Sequence, residues 1–222
     1  MTAPKRRGAF SWAATGALLL AALSARWTVA RRGQRQNLPP EVRAVMLRDP
    51  AKVPTVTLVD QHGASLTSDA LFAGRWSFLF LGFASCPTVC PATLSQLATL
   101  KRSLARQFPG TPQPRYVFVS VDPGRDPPAR LASYLATFDG DFLGATGAPA
   151  ALASLSDALT AFHRLESPTA AGDYGVVHSG EIYLMDPSGR VYARFTPPLD
   201  TASIPRLLVS MMASYAADGN RS

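Results

Sequence analysis

From Arg75 the chain runs through "RWSFLFLGF", a continuous apolar stretch of strand length, and then "ASCPTVCP", before an amphipathic repeat begins. A strand that is apolar on every residue needs cover on both faces, which the interior of a sheet between helices supplies. Leu94, Leu97, Leu100, Leu104 and Phe108 recur at three- and four-residue steps, predicting a helix from about Ala92 that closes at Pro109-Gly110. "YVFVSV", residues 116–121, repeats the buried-strand pattern. Asp126 before Pro127 then reads as a helix N-cap, followed by a face of Leu131, Leu135 and Phe138. Leu152, Leu155, Leu159 and Phe162 mark another helix.

Around this centre, "TVTLVDQHGASLT" alternates and turns at His-Gly, predicting a hairpin. "EIYLMD" and "RVYARF", joined by "PSG", predict a second antiparallel hairpin, and "SIPRLLVSMMASYA" a final helix with Ser203 as cap. The alternation implies an α/β fold, a mixed sheet flanked by helices on both faces. A strand that feeds a helix with two cysteines at its start is the thioredoxin-like arrangement, here with an added N-terminal hairpin.

The net charge of +7 is concentrated at one end: residues 1–48 hold nine basic residues and one acid, Glu41, leaving 13 basic and 14 acidic in the rest. A near-neutral body without an aromatic-interleaved basic stripe argues against nucleic-acid binding. Lys5, Arg6 and Arg7 precede 17 uncharged residues, Ala9–Ala25, and Arg26, Arg31, Arg32 and Arg35 follow. That pattern reads as an uncleaved N-terminal transmembrane helix, with a cleaved signal peptide as the alternative. The expected organisation is a basic cytoplasmic segment 1–8, a membrane anchor 9–30, a polar tether 31–53, the compact domain 54–217 and a short tail 218–222.

Cys86 and Cys90 are the chain's two cysteines. Pro87 suits the first position of a helix, whose free first-turn amides stabilise a thiolate and lower its pKa. A spacing of four places both thiols on one helical face with Cα atoms roughly 6 Å apart, which permits a disulfide, a redox couple or two ligands for one soft metal. A bridge closing so short a loop constrains the unfolded chain little, so a purely structural disulfide is a poor staple. Three histidines exist. His62 lies in a turn, where exposure is expected, and His163 follows a helix whose negative end it complements. His178 precedes a strand and, in a thioredoxin-type sheet, faces the cysteines. Two thiolates and an imidazole make a trigonal site that suits Cu(I), leaves room for a further ligand on Cu(II), and fits zinc as well. Met211 and Met212 read as packing residues.

"FLGFASCPTVCPATL", "VSVDPGRDPP" and "YGVVHSGEIYLMDPSGR", in this order, closely resemble the Sco/SenC family of cytochrome oxidase assembly proteins, over about Pro54 to Tyr215. The resemblance implies a membrane-tethered thioredoxin-like copper metallochaperone that ligates copper through Cys86, Cys90 and His178. Its implied partners are a copper donor protein and the copper-site subunit of cytochrome c oxidase, whose dinuclear centre it helps assemble. The alternative function is a thiol–disulfide oxidoreductase that uses Cys86 and Cys90 as a redox-active pair to reduce that subunit's cysteines. The expected location is the bacterial inner membrane, single-pass, with the domain in the periplasm. Two features stand apart. Val177 occupies the place before the histidine where family members commonly carry an acid, for which Glu181 or Asp122 can compensate. Asp122 and Asp126 match the DPxRD element, Asp126 reading as turn and cap. A peroxidase, which also uses a CPT motif, needs a threonine where Phe83 stands.

Overall fold

The structure, a computed structural model, describes residues 38–167 and 174–219. The expected anchor, 9–30, lies outside them; among the described residues no helix is long and apolar enough to cross a membrane. The described residues fall into two units, residues 44–209 and a second made of 38–43 with 210–219. A short helix, α1 (Pro40–Val45), opens the described chain, with Pro40 in its first position. Within the larger unit, Met46 and Lys52 of the tether segment make isolated antiparallel bridges to Ala193 and Arg190.

Strands β1 (Thr57–Asp60) and β2 (Ser65–Thr67) form the expected N-terminal hairpin, in register Leu58 to Leu66. The Asp60 carboxylate accepts the His62 and Ala64 amides across the turn, and Gly63 takes the left-handed conformation there (φ 84°). After α2 (Ser68–Phe72) come β3 (Ser77–Gly82), α3 (Val89–Gln107), β4 (Arg115–Ser120), α4 (Pro128–Ala136), β5 (Leu143–Thr146) and α5 (Pro149–Ala158). A small ribbon, β6 (His163–Leu165) with β7 (Val176–His178), precedes β8 (Ile182–Met185), β9 (Val191–Phe195) and α6 (Ile204–Gly219).

The main sheet has the order β2-β1-β5-β4-β3-β8-β9. β3, β4 and β5 run parallel, whereas β1 and β8 join them antiparallel, so the sheet is mixed as expected. Side chains alternate across it. Leu79, Leu81, Val117, Val119, Tyr183 and Met185 pack on Leu71 and Phe72 of α2 and on Leu152 and Leu155 of α5. The opposite face is aromatic: Phe78 stacks on Tyr116 at 5.4 Å between centroids, Phe80 meets Phe118 at 5.9 Å, and Tyr134 of α4 covers Phe118 at 5.9 Å. Both faces therefore carry helices.

Four local expectations change. The helix carrying the cysteines begins at Val89, not Pro87. α4 is preceded by Pro127 with no side-chain cap, so Asp126 is not its N-cap. Phe162 lies beyond α5 and is 52% exposed. His163 pairs in β6, and its ring meets the Ser156 hydroxyl in the last turn of α5 rather than a helix carbonyl.

α5 ends in a Schellman motif: the Ala161 amide donates to the Ser156 carbonyl at 2.8 Å and the Thr160 amide to Asp157 at 3.0 Å. The left-handed position is filled by Thr160 (φ 54°), a β-branched residue where glycine is favoured. Thr160→Gly is expected to raise stability by about 1 kcal/mol, read as a higher urea midpoint at unchanged slope. An unchanged or lower midpoint would show that the turn carries no strain.

Candidate metal centre

The centre sits beyond the carboxyl ends of β3 and β4, where open α/β sheets commonly place ligands. β3 ends at Gly82; Phe83, Ala84 and Ser85 lead to Cys86, and α3 brings Cys90 in its first turn. Cys86 lies ahead of the helix and is half-buried, while Cys90 is fully buried, so the two thiols do not share a helical face. The Cys90 amide donates to Cys86 Sγ at 3.4 Å, which keeps the sulfurs together by a different route. Both thiols are free, and the bridge that their spacing permits is not formed.

Burial pushes the Cys90 thiol well above its ordinary range, and the nearby Cys86 adds to this, against a hydrogen bond from the Phe83 amide that acts in the opposite direction. The lowering expected from first-turn amides therefore loses to desolvation at Cys90. A metal that takes this sulfur must displace its proton.

His178, at the end of β7, brings Nε2 to 3.4 Å from Cys90 Sγ. Its Nδ1 lies 2.8 Å from the Ser179 carbonyl, which only accepts, so Nδ1 carries the proton and Nε2 presents its lone pair to the thiols. Burial lowers the imidazole pKa, favouring the neutral, ligating form, although the bond to Ser179 opposes the shift. Phe80 and Phe83 fix the ring edge-on at 6.0 and 5.7 Å.

The donor atoms of Cys86, Cys90 and His178 all lie within 4.8 Å of one another. A trigonal ion bonded at about 2.3 Å to sulfur and 2.0 Å to nitrogen needs its donors roughly 3.7–4.0 Å apart. Small side-chain adjustments meet that requirement, so the residues fit a soft metal. Among the described residues this is the one such group of histidine, cysteine and acid side chains. His62 and His163 do not join it.

A family model described as SCO1/SenC matches residues 46–213. The chain belongs to the SCO1/SenC family. It is similar to a putative copper-binding protein of Stutzerimonas stutzeri, 33% identical over 180 residues, which cover 80% of this chain and 85% of the relative. It also resembles the mitochondrial SCO2 homolog of Bos taurus, 32% identical over 173 residues, or 78% of this chain. The match spans 64% of that longer protein. Among solved structures, Arabidopsis thaliana ScoI with copper bound superposes with a TM-score of 0.67 at 27% identity, covering 74% of this chain and all of the other. Bradyrhizobium japonicum ScoI with copper bound gives 0.62 at 30% identity, over 74% of this chain and 99% of that one.

In this SCO1/SenC chain, residues that the sequence left in the background shape the centre. Asp126 is fully buried, and its Oδ2 accepts the Ala84 amide at 2.7 Å and the Ser120 hydroxyl at 2.6 Å. Arg130 lies 3.4 Å from its other oxygen and donates to Ser85 Oγ at 2.9 Å. Asp126 thus ties the cysteine loop to β4 and is more than a turn residue. Asp122 pairs with other residues rather than with a ligand of the centre. Its two oxygens are taken by the Tyr174 hydroxyl at 2.7 Å and Arg125 Nε at 2.5 Å. Val177 itself is 41% exposed, facing away from the sulfurs by strand alternation.

Gly82 is the closest-packed of these supports. A Cβ there would lie 2.7 Å from Phe118 Cε2 and 2.9 Å from Cys90 Sγ. Gly82→Ala is expected to cost about 1–3 kcal/mol of stability by overpacking and to weaken metal binding by displacing Cys90. Denaturation alongside a Cu(I) competition titration checks both; parental values for both would mean that the close approach is not needed.

Proposed function

We propose that this chain is a copper metallochaperone that binds one copper ion through Cys86, Cys90 and His178 and delivers it to the copper-site subunit of a cytochrome c oxidase, where it assists assembly of the dinuclear centre. The observation that carries this reading is the convergence of two sulfurs and a lone-pair-bearing imidazole within 4.8 Å, with Cys86 half-buried and so within a partner's reach. The copper-bound relatives from Arabidopsis and Bradyrhizobium support the choice of metal, and soft sulfur donors favour Cu(I). Copper is cargo here: it arrives from a donor protein and leaves by ligand exchange, entering through Cys86 and displacing the Cys90 proton. The basic and apolar residues 1–30 support anchoring in a bacterial inner membrane, with the domain in the periplasm.

The free thiols also favour a second reading, a thiol–disulfide reductase. Cys86 sulfur would attack a disulfide of the same oxidase subunit and release one of its thiols. Cys90 would then attack the mixed disulfide, leaving a Cys86–Cys90 bridge and a fully reduced partner, a two-electron exchange.

The deciding experiment mixes the Cu(I)-loaded, full-length chain with the metal-free oxidase subunit, its cysteines already reduced, and removes excess copper. A one-electron oxidant such as ferricyanide is then added, and the visible absorption of the oxidised dinuclear centre is followed. Delivery is expected to generate that absorption, with Cys86→Ser inactive. If the centre forms equally well from free copper salt, while the metal-free chain rapidly reduces the oxidised subunit, the reductase reading replaces delivery.

A further inference from the structure

His178 rides on a ribbon of two three-residue strands, too small to hold its own position. Its tethers therefore decide where the imidazole sits. Near the histidine, Ser179 and Phe162 exchange hydrogen bonds at 2.7 Å, and His163, the cross-strand partner of His178, meets Ser156 of α5 at 2.8 Å. At the other end of β7 lies Tyr174. Its hydroxyl donates to the buried Asp122, its carbonyl accepts Arg125 Nη1 at 2.9 Å, and its ring lies 3.8 Å under the Arg125 guanidinium carbon.

Arg125 is the shared piece. Besides Tyr174 and Asp122, its guanidinium lies 5.9 Å from the Phe83 ring, the same ring that meets His178 edge-on at 5.7 Å. The backbone of Phe83 belongs to the cysteine loop: its carbonyl accepts the Cys86 amide at 3.2 Å. One side chain thus joins the loop after β4, the loop that carries Cys86 and the strand that carries His178. A planar guanidinium does this by pairing and stacking at once, which an ammonium cannot.

We propose that Arg125, with Asp122 and Tyr174, is the positioning latch that holds the His178 ribbon within coordination reach of the two sulfurs. The latch rests on the reading of Cys86, Cys90 and His178 as copper ligands. It touches no metal and acts through the imidazole.

The test is a double-mutant cycle on the full-length chain, with Cu(I) affinity from competition titration and nitrogen hyperfine coupling from the Cu(II)-loaded form. Tyr174→Ala removes ring and hydroxyl while leaving the Asp122–Arg125 pair, and Arg125→Lys keeps the buried carboxylate matched, so both spare the fold; thermal melts verify this. Each is expected to weaken Cu(I) binding roughly tenfold while His178 is present, and by less than about twofold when His178 is already alanine. The imidazole coupling should diminish in parallel. Equal losses with and without His178, or an unchanged coupling, would overturn the latch while leaving the copper site standing. Copper affinity insensitive to Cys86→Ser and Cys90→Ser would instead remove the copper reading itself, and the latch with it.

Discussion

Replacing Cys90 by serine is expected to weaken Cu(I) binding by two to three orders of magnitude. Structural zinc sites with four sulfur and nitrogen donors gain about 10–16 kcal/mol in all, so one ligand of this kind accounts for roughly 2.5–4 kcal/mol, or about two to three orders of magnitude in affinity. A serine hydroxyl is a hard donor that does not recover this. Cys90 also has a second role, as its buried sulfur fills the space above Gly82 and receives His178. Because serine is nearly isosteric, the fold should persist, and near-parental unfolding would isolate the effect to the metal. Cys86→Ser is expected to produce a comparable loss with less effect on packing, since Cys86 is only half-buried. The measurement is a Cu(I) competition titration of the reduced, full-length chain. Affinities unchanged by both substitutions would show that the sulfurs do not ligate copper.

The second large effect is expected at Asp126, which touches no ligand. Its carboxylate is fully buried and meets the Ala84 amide and the Ser120 hydroxyl at 2.7 and 2.6 Å. Asp126→Ala leaves both donors unpaired beside Arg130. An unmet buried donor costs about 1–3 kcal/mol, which applies in full to the Ser120 hydroxyl and only at its lower end to the half-buried Ala84 amide, so a loss of roughly 2–4 kcal/mol is expected in urea unfolding. The cysteine loop is released at the same time, so Cu(I) affinity should fall with stability. Asp126→Asn keeps one acceptor oxygen and should recover part of both. A stability change under about 0.5 kcal/mol would mean that solvent replaces these contacts, and that the loop does not depend on them.

The elements legible in the sequence were those whose own pattern determines them. Continuous apolar runs place β3 and β4 in the sheet interior, and the leucine spacing of α3 gives its buried face before any contact is known. The hairpins β1–β2 and β8–β9 carry their turns in the sequence. β5 was not foreseen, because "LGAT" is four residues long, lacks periodicity and becomes a strand by lying between β1 and β4. β6 and β7 are shorter still, and exist through pairing with each other.

The candidate site shows the same division. Two cysteines and a histidine before a strand are readable because few other side chains offer such donors. Their supports are not, since a glycine at a strand end and an aspartate and arginine in a loop look like ordinary turn chemistry. Gly82 matters because a sulfur from another element occupies the room its missing side chain leaves. Asp126 reads as a cap because aspartate before proline usually is one; the half-buried Ala84 amide and the buried Ser120 hydroxyl claim its carboxylate instead. The helix starting at Val89 also reverses an expectation: Cys90 ends up desolvated, and burial outweighs the amides that were expected to lower its pKa.

X-ray absorption at the copper edge of the loaded, full-length chain, compared with its His178→Ala variant, probes the ligand set most directly. Two sulfurs at about 2.3 Å and one nitrogen at about 2.0 Å are expected in the parent, with the nitrogen shell lost or replaced by a distinct, weaker one in the variant. A parent spectrum without sulfur scattering, or one that His178→Ala leaves unaltered, would contradict a copper ion held by Cys86, Cys90 and His178.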